Sequence, residues 1–226
     1  MKRTPHLHGI AGIDEAGRGP MIGPMVICGI LVEVECLREL RAIGVRDSKL
    51  LSPSKRVELK NIIEQIAHKI AIRTVSAEDI DRRRINTTLN EIEVAEFASI
   101  AKSLNPEKLY LDAADVVPDR FGVKVGALSG LSPQRVLIVS EHKADSTYPI
   151  VSAASILAKV ERDRIISSYH EIYGEFGSGY PTDSKTVNFV KELVRNNQEL
   201  PPIIRKSWKS VRKIMDAESK KQMRLG

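Results

Sequence analysis

The sequence predicts a mixed α/β sheet with helices on its faces. Apolar runs typical of strands come first, and strand and helix patterns alternate along the rest of the chain. Three of the strand patterns run into acidic residues at or just beyond their ends. Open α/β sheets place their ligands at such strand ends, so the same patterns also predict where a site lies.

The first predicted strand opens residues 9–20, where an apolar run leads to Asp14 and Glu15 and then to a Gly-Arg-Gly-Pro turn. Successive side chains alternate faces in a regular strand, so these two acids share one site only where the strand bends or ends. The glycines permit that bend and let main-chain N–H groups approach a ligand. The segment therefore favours a metal site facing a phosphodiester, although a solvated turn explains it equally well by itself.

Capping signals and apolar periodicity predict the next elements. Residues 25–32 form an unbroken apolar run, typical of a buried strand, and residues 69–75 alternate as a third strand. Ser52 and Pro53 begin a helix between them. Its apolar face is predicted to comprise Leu59, Ile62, Ile63, Ile66 and Ile70. A second long helix, which stops at Asn105, is predicted to bury Leu89, Ile92, Ala95, Ile100 and Leu104.

Two further strand patterns lead into acids. Residues 109–111 run into Asp112, and the strand 136–139 is followed by Asp145. If these strand ends are neighbours of the first, four carboxylates meet and would repel one another unless cations filled the pocket. Mg²⁺ prefers hard oxygen ligands of this kind. The alternative is that Asp112 and Asp145 only cap neighbouring elements.

The C-terminal part is predicted to be helical. A helix over residues 152–166 carries Ala154 and Ala158 one turn apart, which allows close packing against a sheet. Helical patterns continue from Asp183 and are interrupted at residues 200–202. Basic residues surround Trp208 in this segment, namely Arg205, Lys206, Lys209, Arg212 and Lys213. They predict salt-sensitive affinity for a nucleic-acid duplex, combined with a docked helix that buries Trp208.

Composition limits the class of protein. A chain of 226 residues with 42% hydrophobic residues can bury a true core, and a net charge of +6 favours an anionic partner. The two cysteines, Cys28 and Cys36, form neither a disulfide framework nor a zinc-ligand pattern. No stretch is long and apolar enough to span a bilayer. A cytoplasmic protein with no membrane partner is expected.

Six motifs occur in an order that resembles one known family. They are Gly12-Ile13-Asp14-Glu15-Ala16-Gly17-Arg18-Gly19-Pro20, Asp47-Ser48-Lys49, Tyr110-Leu111-Asp112-Ala113-Ala114-Asp115, His142-Lys143-Ala144-Asp145, Ser152-Ala153-Ala154-Ser155-Ile156-Leu157-Ala158-Lys159 and Gly177-Ser178-Gly179-Tyr180-Pro181. The chain resembles ribonuclease HII of the archaeal type, and is similar to the catalytic subunit of the eukaryotic type 2 enzyme. The resemblance runs from residue 9 to residue 211.

This resemblance implies an RNase H-like fold, with a mixed five-stranded sheet flanked by helices. The catalytic domain would cover residues 1–182, and a C-terminal helical extension over residues 183–226 would contribute to nucleic-acid binding. The implied activity is hydrolysis of the RNA strand of RNA–DNA hybrids and incision 5′ to single ribonucleotides in duplex DNA, leaving 3′-hydroxyl and 5′-phosphate ends. Two Mg²⁺ or Mn²⁺ ions are expected during catalysis, and the protein is expected to be a monomer.

The resemblance also assigns roles to individual residues. The implied metal-binding acids are Asp14, Glu15, Asp112 and Asp145. The implied contacts to the ribonucleotide and its flanking phosphate come from the backbone of Gly17, Arg18 and Gly19. Tyr180 would read the ribose 2′-hydroxyl and stack on the following deoxyribose. Lys49, Lys143 and Ser178 would contact phosphates, and His142 is expected to be structural or solvent-facing.

Two other functions stay open at this point. Another RNase H-like DNA nuclease, such as a junction resolvase or transposase, shares acids at strand ends but lacks the pairing of the Gly17–Gly19 turn with Tyr180. A non-catalytic module that binds hybrids is the second alternative, and the four intact acids argue against it. A sliding clamp is a candidate partner, because residues 222–225 resemble the beginning of a clamp-binding peptide without its aromatic pair.

Overall fold

The computed structural model describes residues 9–45, 51–196 and 198–225. Within these ranges the chain forms a five-stranded sheet. Its strands are β1 Gly9–Ala16, β2 Met25–Glu33, β3 Lys69–Val75, β4 Lys108–Asp112 and β5 Leu137–Glu141. The strand order is β3-β2-β1-β4-β5, with β1 antiparallel to β2 and parallel to β4, and β4 parallel to β5. The predicted mixed sheet is confirmed.

Helices separate and follow the strands. They are α1 Leu37–Ala42, α2 Pro53–Ile66, α3 Ala77–Arg83, α4 Leu89–Leu104, α5 Pro118–Ser129, α6 Ala144–Thr147, α7 Pro149–Tyr173, α8 Ser184–Arg195 and α9 Lys209–Leu225, with a 3-10 turn at Val34–Cys36. The predicted start of α2 is confirmed, since the Ser52 hydroxyl accepts a hydrogen bond from the Lys55 N–H at 3.2 Å. No helix in the described ranges is long and apolar enough to cross a membrane.

One detail of the predicted elements was wrong. Ile70 belongs to β3, because α2 ends at Ile66 and so cannot carry it on its apolar face. The helix expected over residues 152–166 is confirmed and extends further at both ends, from Pro149 to Tyr173. Proline is well suited to a first helical turn, where its missing N–H costs no hydrogen bond.

The described residues group into two compact units. Among the described residues, unit 1 comprises 9–16, 26–45 with 51–73, and 90–161, and unit 2 comprises 17–25, 74–89, and 162–196 with 198–225. Each unit therefore draws on three separate segments of the chain. The sequence led us to expect a catalytic domain over residues 1–182 and an extension over residues 183–226, which is a division at a single boundary. That division stays a prediction.

The core of unit 1 holds β1 firmly in place. Ile13 is fully buried, and Phe97 on α4 meets Phe121 on α5 edge to face with ring centroids 5.1 Å apart. A Cβ atom on Gly12 would lie 2.6 Å from the main-chain carbon of Ile150, so the absence of a side chain lets the first turn of α7 pass directly over β1. This close approach occurs two residues before Asp14.

Unit 2 has an apolar core of its own. Its buried members are Met21, Ile22, Ile166, Phe176, Val190, Leu200, Ile203, Ile204, Val211 and Ile214. Ile22 also forms an isolated antiparallel bridge with Ile204. The segment that follows β1 is thus anchored to the C-terminal part of the chain within this unit.

Candidate active site

Asp14 is the most buried acid of the expected site. It lies within β1 opposite Cys28 of β2, and only 3% of its surface is exposed. The Glu15 N–H donates a hydrogen bond to its Oδ1 at 2.7 Å. A carboxylate in this position has lost most of its water and keeps few compensating hydrogen bonds.

Electrostatics place Asp14 close to two other acids of unit 1. The pKa of Asp14 is raised from 3.8 to about 7, and burial is the largest cause. The negative charge of Asp112 and, more weakly, that of Asp145 contribute to this rise, whereas hydrogen bonds from the Ser155 side chain and the Glu15 backbone oppose it. The three strand-end aspartates expected to converge are therefore neighbours in space.

Asp112 is positioned by the end of β4. It is the last residue of that strand and pairs with Glu141 of β5. Its Oδ1 accepts a hydrogen bond from the Ala144 N–H at 2.9 Å, which ties the strand end to the first residue of α6. Because β4 runs parallel to β1, the acids of these two strands lie at the same edge of the sheet.

Asp145 comes from the first turn of α6 and is 4% exposed. The preceding Lys143 adopts a left-handed backbone conformation with φ of 57°, which is uncommon for a residue with a side chain. Such a conformation costs about 1 kcal/mol or more. The Lys143 side chain is exposed, in keeping with its expected phosphate contact.

Glu15 follows Asp14 without a break in the strand. It pairs with Ile27 of β2 and is half-buried. The strand therefore continues past both acids, whereas the sequence led us to expect a bend or an end there. Its role as a fourth metal ligand stays a prediction.

The donor set is suited to a hard divalent cation. Carboxylate oxygens are the ligands that Mg²⁺ and Mn²⁺ prefer, and a cation would relieve the repulsion that raises the pKa of Asp14. Among the described residues, however, no group of three or more His, Cys, Asp or Glu side chains is arranged to hold a metal ion as it stands.

Asp115 is not available to such a site. Its carboxylate accepts hydrogen bonds from the Arg120 guanidinium and, at 3.1 Å, from the Val117 N–H. These bonds lower the pKa of Asp115 to about 2. Arg120 thus gives Asp115 a structural role three residues from Asp112.

His142 stands beside the acids in sequence but binds main chain. Its Nδ1 lies 3.3 Å from the Ala113 carbonyl oxygen, and its Nε2 lies 3.3 Å from the Val116 carbonyl oxygen. These contacts join the histidine to the loop that follows β4. They support the structural role expected for it.

Within unit 2, a buried arginine holds the Gly17–Gly19 turn. Arg205 is 0% exposed and donates to the carbonyl oxygens of Gly17 at 2.5 Å and Arg18 at 2.8 Å. Its Nε also donates to the Gly23 carbonyl oxygen at 3.0 Å. The expectation that Arg205 belongs to an exposed duplex-binding surface was wrong, because all three hydrogen bonds face the protein interior.

Trp208 also stabilises the Gly17–Gly19 turn. Its indole Nε1–H donates to the Gly19 carbonyl oxygen at 3.2 Å. The Cζ atoms of Arg205 and Arg84 lie 4.6 and 4.9 Å from its ring centroid. Trp208 is half-buried, so the expected burial of its ring is only partly met.

The second glycine-rich turn, residues 177–180, is also in unit 2. The Asp183 carboxylate accepts from the Ser178 N–H at 2.7 Å and from the Ser178 hydroxyl at 2.9 Å. These bonds lower the pKa of Asp183. Both donors of Ser178 are thus engaged, so its expected phosphate contact would require one of them to change partner.

Tyr180 lies next to the Gly17–Gly19 turn. A Cβ atom on Gly19 would be 3.8 Å from Cε1 of Tyr180, and the Gly179 carbonyl oxygen accepts from the Met21 N–H at 2.7 Å. Arg162, which is 2% exposed, has its Cζ 5.2 Å from the Tyr180 ring centroid and donates to the Ser178 carbonyl oxygen at 3.2 Å. The two turns that sequence motifs singled out are therefore neighbours within this unit.

Lys49, the remaining residue expected at the site, lies outside the described residues. Arg162 and Arg205 were missed as supports of the two turns, because each stands in a charged stretch that resembles a solvated helix face. Only their burial distinguishes them from the surface arginines around them.

Comparison with known proteins agrees with the motifs and the fold. The sequence profile of ribonuclease HII matches residues 11–211. Ribonuclease HII of Thermococcus sibiricus is 45% identical over 215 residues, covering 94% of both chains. The chain belongs to the ribonuclease HII family. It is accordingly a metal-dependent endoribonuclease that acts on RNA–DNA hybrids.

Solved structures of this family share the fold. The crystal structure of ribonuclease H2 from Pyrococcus horikoshii is 42% identical and superimposes with a TM-score of 0.86, covering 94% of this chain and 99% of that one. Ribonuclease HII from Archaeoglobus fulgidus, solved as a complex with PCNA, is also 42% identical, with a TM-score of 0.81 over 88% of this chain and 95% of that one. The RNase H-like fold expected from the motifs is confirmed.

Proposed function

We propose that this ribonuclease HII incises duplex DNA on the 5′ side of a single embedded ribonucleotide, leaving 3′-hydroxyl and 5′-phosphate ends, in addition to cutting RNA–DNA hybrids. The observation that carries the proposal is the burial of Asp14 beside Asp112 and Asp145, which raises its pKa to about 7. A buried cluster of like charges is costly for folding. Such a cluster is expected where a function requires it.

The proposed metal ligands are Asp14, Glu15, Asp112 and Asp145. Two bound Mg²⁺ or Mn²⁺ ions would supply charge neutralisation at the phosphate and would lower the pKa of water. The chain itself orients the carboxylates. The Glu15 N–H donates to Oδ1 of Asp14, and the Ala144 N–H donates to Oδ1 of Asp112, so each carboxylate is held in one orientation.

Recognition of the ribonucleotide is assigned to unit 2. The backbone of Gly17, Arg18 and Gly19 would contact the ribonucleotide and its flanking phosphate. Arg205 supports this role because it binds the carbonyl oxygens of Gly17 and Arg18 and so fixes the shape of the turn. Tyr180 would read the 2′-hydroxyl, which is the group that distinguishes RNA from DNA. A tyrosine suits this task, since its ring packs on a sugar while its hydroxyl donates or accepts.

Phosphate contacts are proposed for Lys49, Lys143 and Ser178. Lys143 has the best support of the three, because its exposed side chain stands two residues before Asp145 on a left-handed backbone. A lysine there would attract the phosphate that the acids face, acting as a point charge. Lys49 rests on the family motif alone.

The test is cleavage of a labelled DNA duplex that carries one ribonucleotide. It is run with Mg²⁺, with Mn²⁺ and with chelator, beside an all-DNA duplex and an RNA–DNA hybrid. A metal-dependent cut 5′ to the ribonucleotide, with the all-DNA duplex intact, supports the proposal. Cutting of the hybrid without any cut at the single ribonucleotide would contradict it.

The same gel separates the other functions considered. Cleavage of the all-DNA duplex would indicate a DNA nuclease of the resolvase or transposase type. Binding without turnover in either metal would indicate a module that only binds hybrids. Asp14→Asn in parallel is expected to retain binding and lose turnover, because the basic surface is unchanged.

We also propose a sliding clamp as a partner. The relative from Archaeoglobus fulgidus was solved in complex with PCNA. In this chain, residues 222–225 resemble the beginning of a clamp-binding peptide and form the last turn of α9. Calorimetric titration of the clamp with the full chain and with a chain ending at residue 221 tests this. Equal affinity of both chains would rule out these residues as the contact.

A further inference from the structure

Unit 1 contains a cavity whose lining does not include the four acids. It has a volume of about 350 Å³ and is formed by α1, β4 and the junction of α6 with α7. The side chains that give it its chemistry are Arg38, Arg41, Tyr110 and Tyr148. We call it the tyrosine–arginine pocket. Its volume falls within the range of small-ligand sites.

The aromatic wall of the pocket is fixed. The rings of Tyr110 and Tyr148 are tilted by 35° with centroids 4.2 Å apart. The Tyr148 hydroxyl donates to Oε1 of Glu141 at 2.8 Å, and this bond is the main reason that the pKa of Tyr148 is raised to about 12. Lys108 lies 4.9 Å from the Tyr110 ring centroid and supports that ring further. A preformed aromatic surface of this kind can take a base or a sugar at little entropic cost.

The basic wall of the pocket consists of Arg38 and Arg41. These residues are three apart on α1, so their side chains lie on the same face of that helix. Both are exposed, and neither guanidinium forms an ion pair or hydrogen bond within the described ranges. No acidic side chain of the described residues lines the cavity, although Glu35 and Glu39 are close in sequence. Two arginines presented together bind phosphate well, because the planar guanidinium matches its oxygens.

The position of the pocket relates it to the acids. Along β4, Lys108, Tyr110 and Asp112 are half-buried while Leu109 and Leu111 are buried, so Tyr110 shares a face of the strand with Asp112. Two residues in a strand span about 6.6 Å. Tyr148 follows Asp145 by three residues. A nucleic-acid strand bound at the acids therefore has its neighbouring nucleotides within reach of this pocket.

We propose that the tyrosine–arginine pocket binds one nucleotide of the cleaved strand, flanking the scissile phosphate. Arg38 and Arg41 hold its phosphate, and the tyrosine pair packs against its sugar or base. This inference rests on the proposed role of Asp14, Asp112 and Asp145 in cleavage. It adds a subsite that fixes the strand beside the reacting bond.

The experiment measures affinity for a duplex containing one ribonucleotide, in the presence of chelator, so that a failure of cleavage cannot affect it. Methylphosphonate linkages, which lack the phosphate charge, replace the flanking phosphates of the ribonucleotide-containing strand one at a time. For the unaltered protein, a methylphosphonate at one or two of these flanking positions should weaken duplex binding by roughly three- to tenfold. In the Arg38→Gln, Arg41→Gln double variant, a methylphosphonate at the same positions should no longer weaken binding. The slope of log affinity against log salt concentration should also become shallower for this variant, by the amount that about one to two phosphate contacts contribute.

Arg135→Gln, which removes one positive charge from an exposed site elsewhere in unit 1, is the control with which the single variants Arg38→Gln and Arg41→Gln and their double variant are compared. Circular dichroism melting shows that each variant is folded. The proposal is overturned if the double variant binds the duplex as Arg135→Gln does, or if the methylphosphonate effect persists in it.

The tyrosine pair is tested separately. Tyr148→Leu should weaken duplex binding, whereas Tyr148→Phe, which keeps the ring, should bind within about twofold of the unaltered protein. Thymidine 3′,5′-bisphosphate serves as the free-nucleotide probe. Loss of bisphosphate binding in the arginine double variant with unchanged duplex affinity would show that the pocket takes a free nucleotide, and the strand proposal would then fall.

Discussion

The guanidinium of Arg205 lies inside unit 2 and donates from Nη1 to the main-chain carbonyl oxygen of Arg18 at 2.8 Å. Two further bonds, from Nη2 to the carbonyl oxygen of Gly17 and from Nε to that of Gly23, use its other two nitrogens. One side chain thus satisfies three acceptors of a segment without regular secondary structure. The shape of the Gly17–Gly19 turn depends on an arginine that follows it by more than 180 residues.

We predict that Arg205→Lys impairs both stability and incision at a single ribonucleotide. Lysine keeps the charge but cannot reach three carbonyl oxygens in a fork, so the variant should lose about 2–4 kcal/mol of unfolding free energy. Denaturant unfolding and steady-state incision measure the two effects. Arg212→Lys, an exposed arginine of the same unit, should change neither. Full activity of Arg205→Lys would show that the turn does not need this support.

Gly17→Ala is predicted to destabilise the fold by far more than the strain of its left-handed backbone angle alone. Gly17 has φ of +85°, and a Cβ atom there would lie 2.5 Å from the Pro24 carbonyl oxygen and 2.7 Å from Arg162. Gly130 has φ of +71° with nothing within 4 Å of its Cβ position, so Gly130→Ala should cost only the left-handed penalty of about 1–2 kcal/mol. Thermal melting measures the loss of stability in both variants, and the difference between the two losses is the part caused by the close contacts at Gly17. Equal losses would mean that Pro24 and Arg162 move aside freely.

The fold was predictable where one physical rule acted locally. The apolar run of β2, the Ser52 cap of α2 and the acids at the strand ends needed only periodicity and capping preferences. Helix α5 was missed, because its buried residues include Gly122 and are spaced among exposed ones such as Val123. That helix is stabilised by packing on β5, which no local pattern reveals.

The acidic residues of the site could be predicted from the sequence, whereas the buried arginines that hold the neighbouring turns in place could not. Asp14 and Asp112 could be expected at strand ends, since open sheets bind ligands there. The buried roles of Arg162 and Arg205 could not, because burial of an arginine depends on contacts distant in sequence. The burial of Glu93 and Glu96 on α4 was not predicted, for the same reason. Glu96 is paired with Arg73 of β3 at 2.9 Å.

Asp14→Asn is predicted to stabilise the metal-free protein. The folded-state pKa of Asp14 is about 7 and lies above its ordinary value of 3.8, so the folded state holds this proton more tightly. The charged carboxylate therefore destabilises the fold, by an amount that is absent below pH 4, grows as pH rises to about 7 and is constant above it. Asparagine removes this cost while its Oδ1 can still accept from the Glu15 N–H.

Melting in chelator between pH 4.5 and pH 8 tests this prediction. The variant should be more stable than the unaltered protein by about 1–4 kcal/mol at pH 8, with the difference shrinking towards pH 4.5. Mg²⁺ or Mn²⁺ should narrow the difference at pH 8, because the cations neutralise the unaltered site. Asp216→Asn removes the same charge from an exposed site and controls for net charge. A variant less stable than the unaltered protein at pH 8 would contradict the assignment of a buried, repelled carboxylate.

Tyr180 should separate recognition of the ribose from duplex binding. Tyr180→Phe keeps the ring that lies 5.2 Å from the Arg162 guanidinium carbon but loses the hydroxyl proposed to read the 2′-hydroxyl. We expect a roughly tenfold loss of kcat/KM at a single ribonucleotide for Tyr180→Phe, and a larger loss for Tyr180→Ala, which also removes sugar stacking. Duplex affinity in chelator should change by less than about threefold in both variants, because the basic surface is intact. Tyr173→Phe, a half-buried tyrosine that packs against the core of unit 2, is the control and should leave kcat/KM unchanged. Normal incision by Tyr180→Ala would remove Tyr180 from the recognition of the sugar.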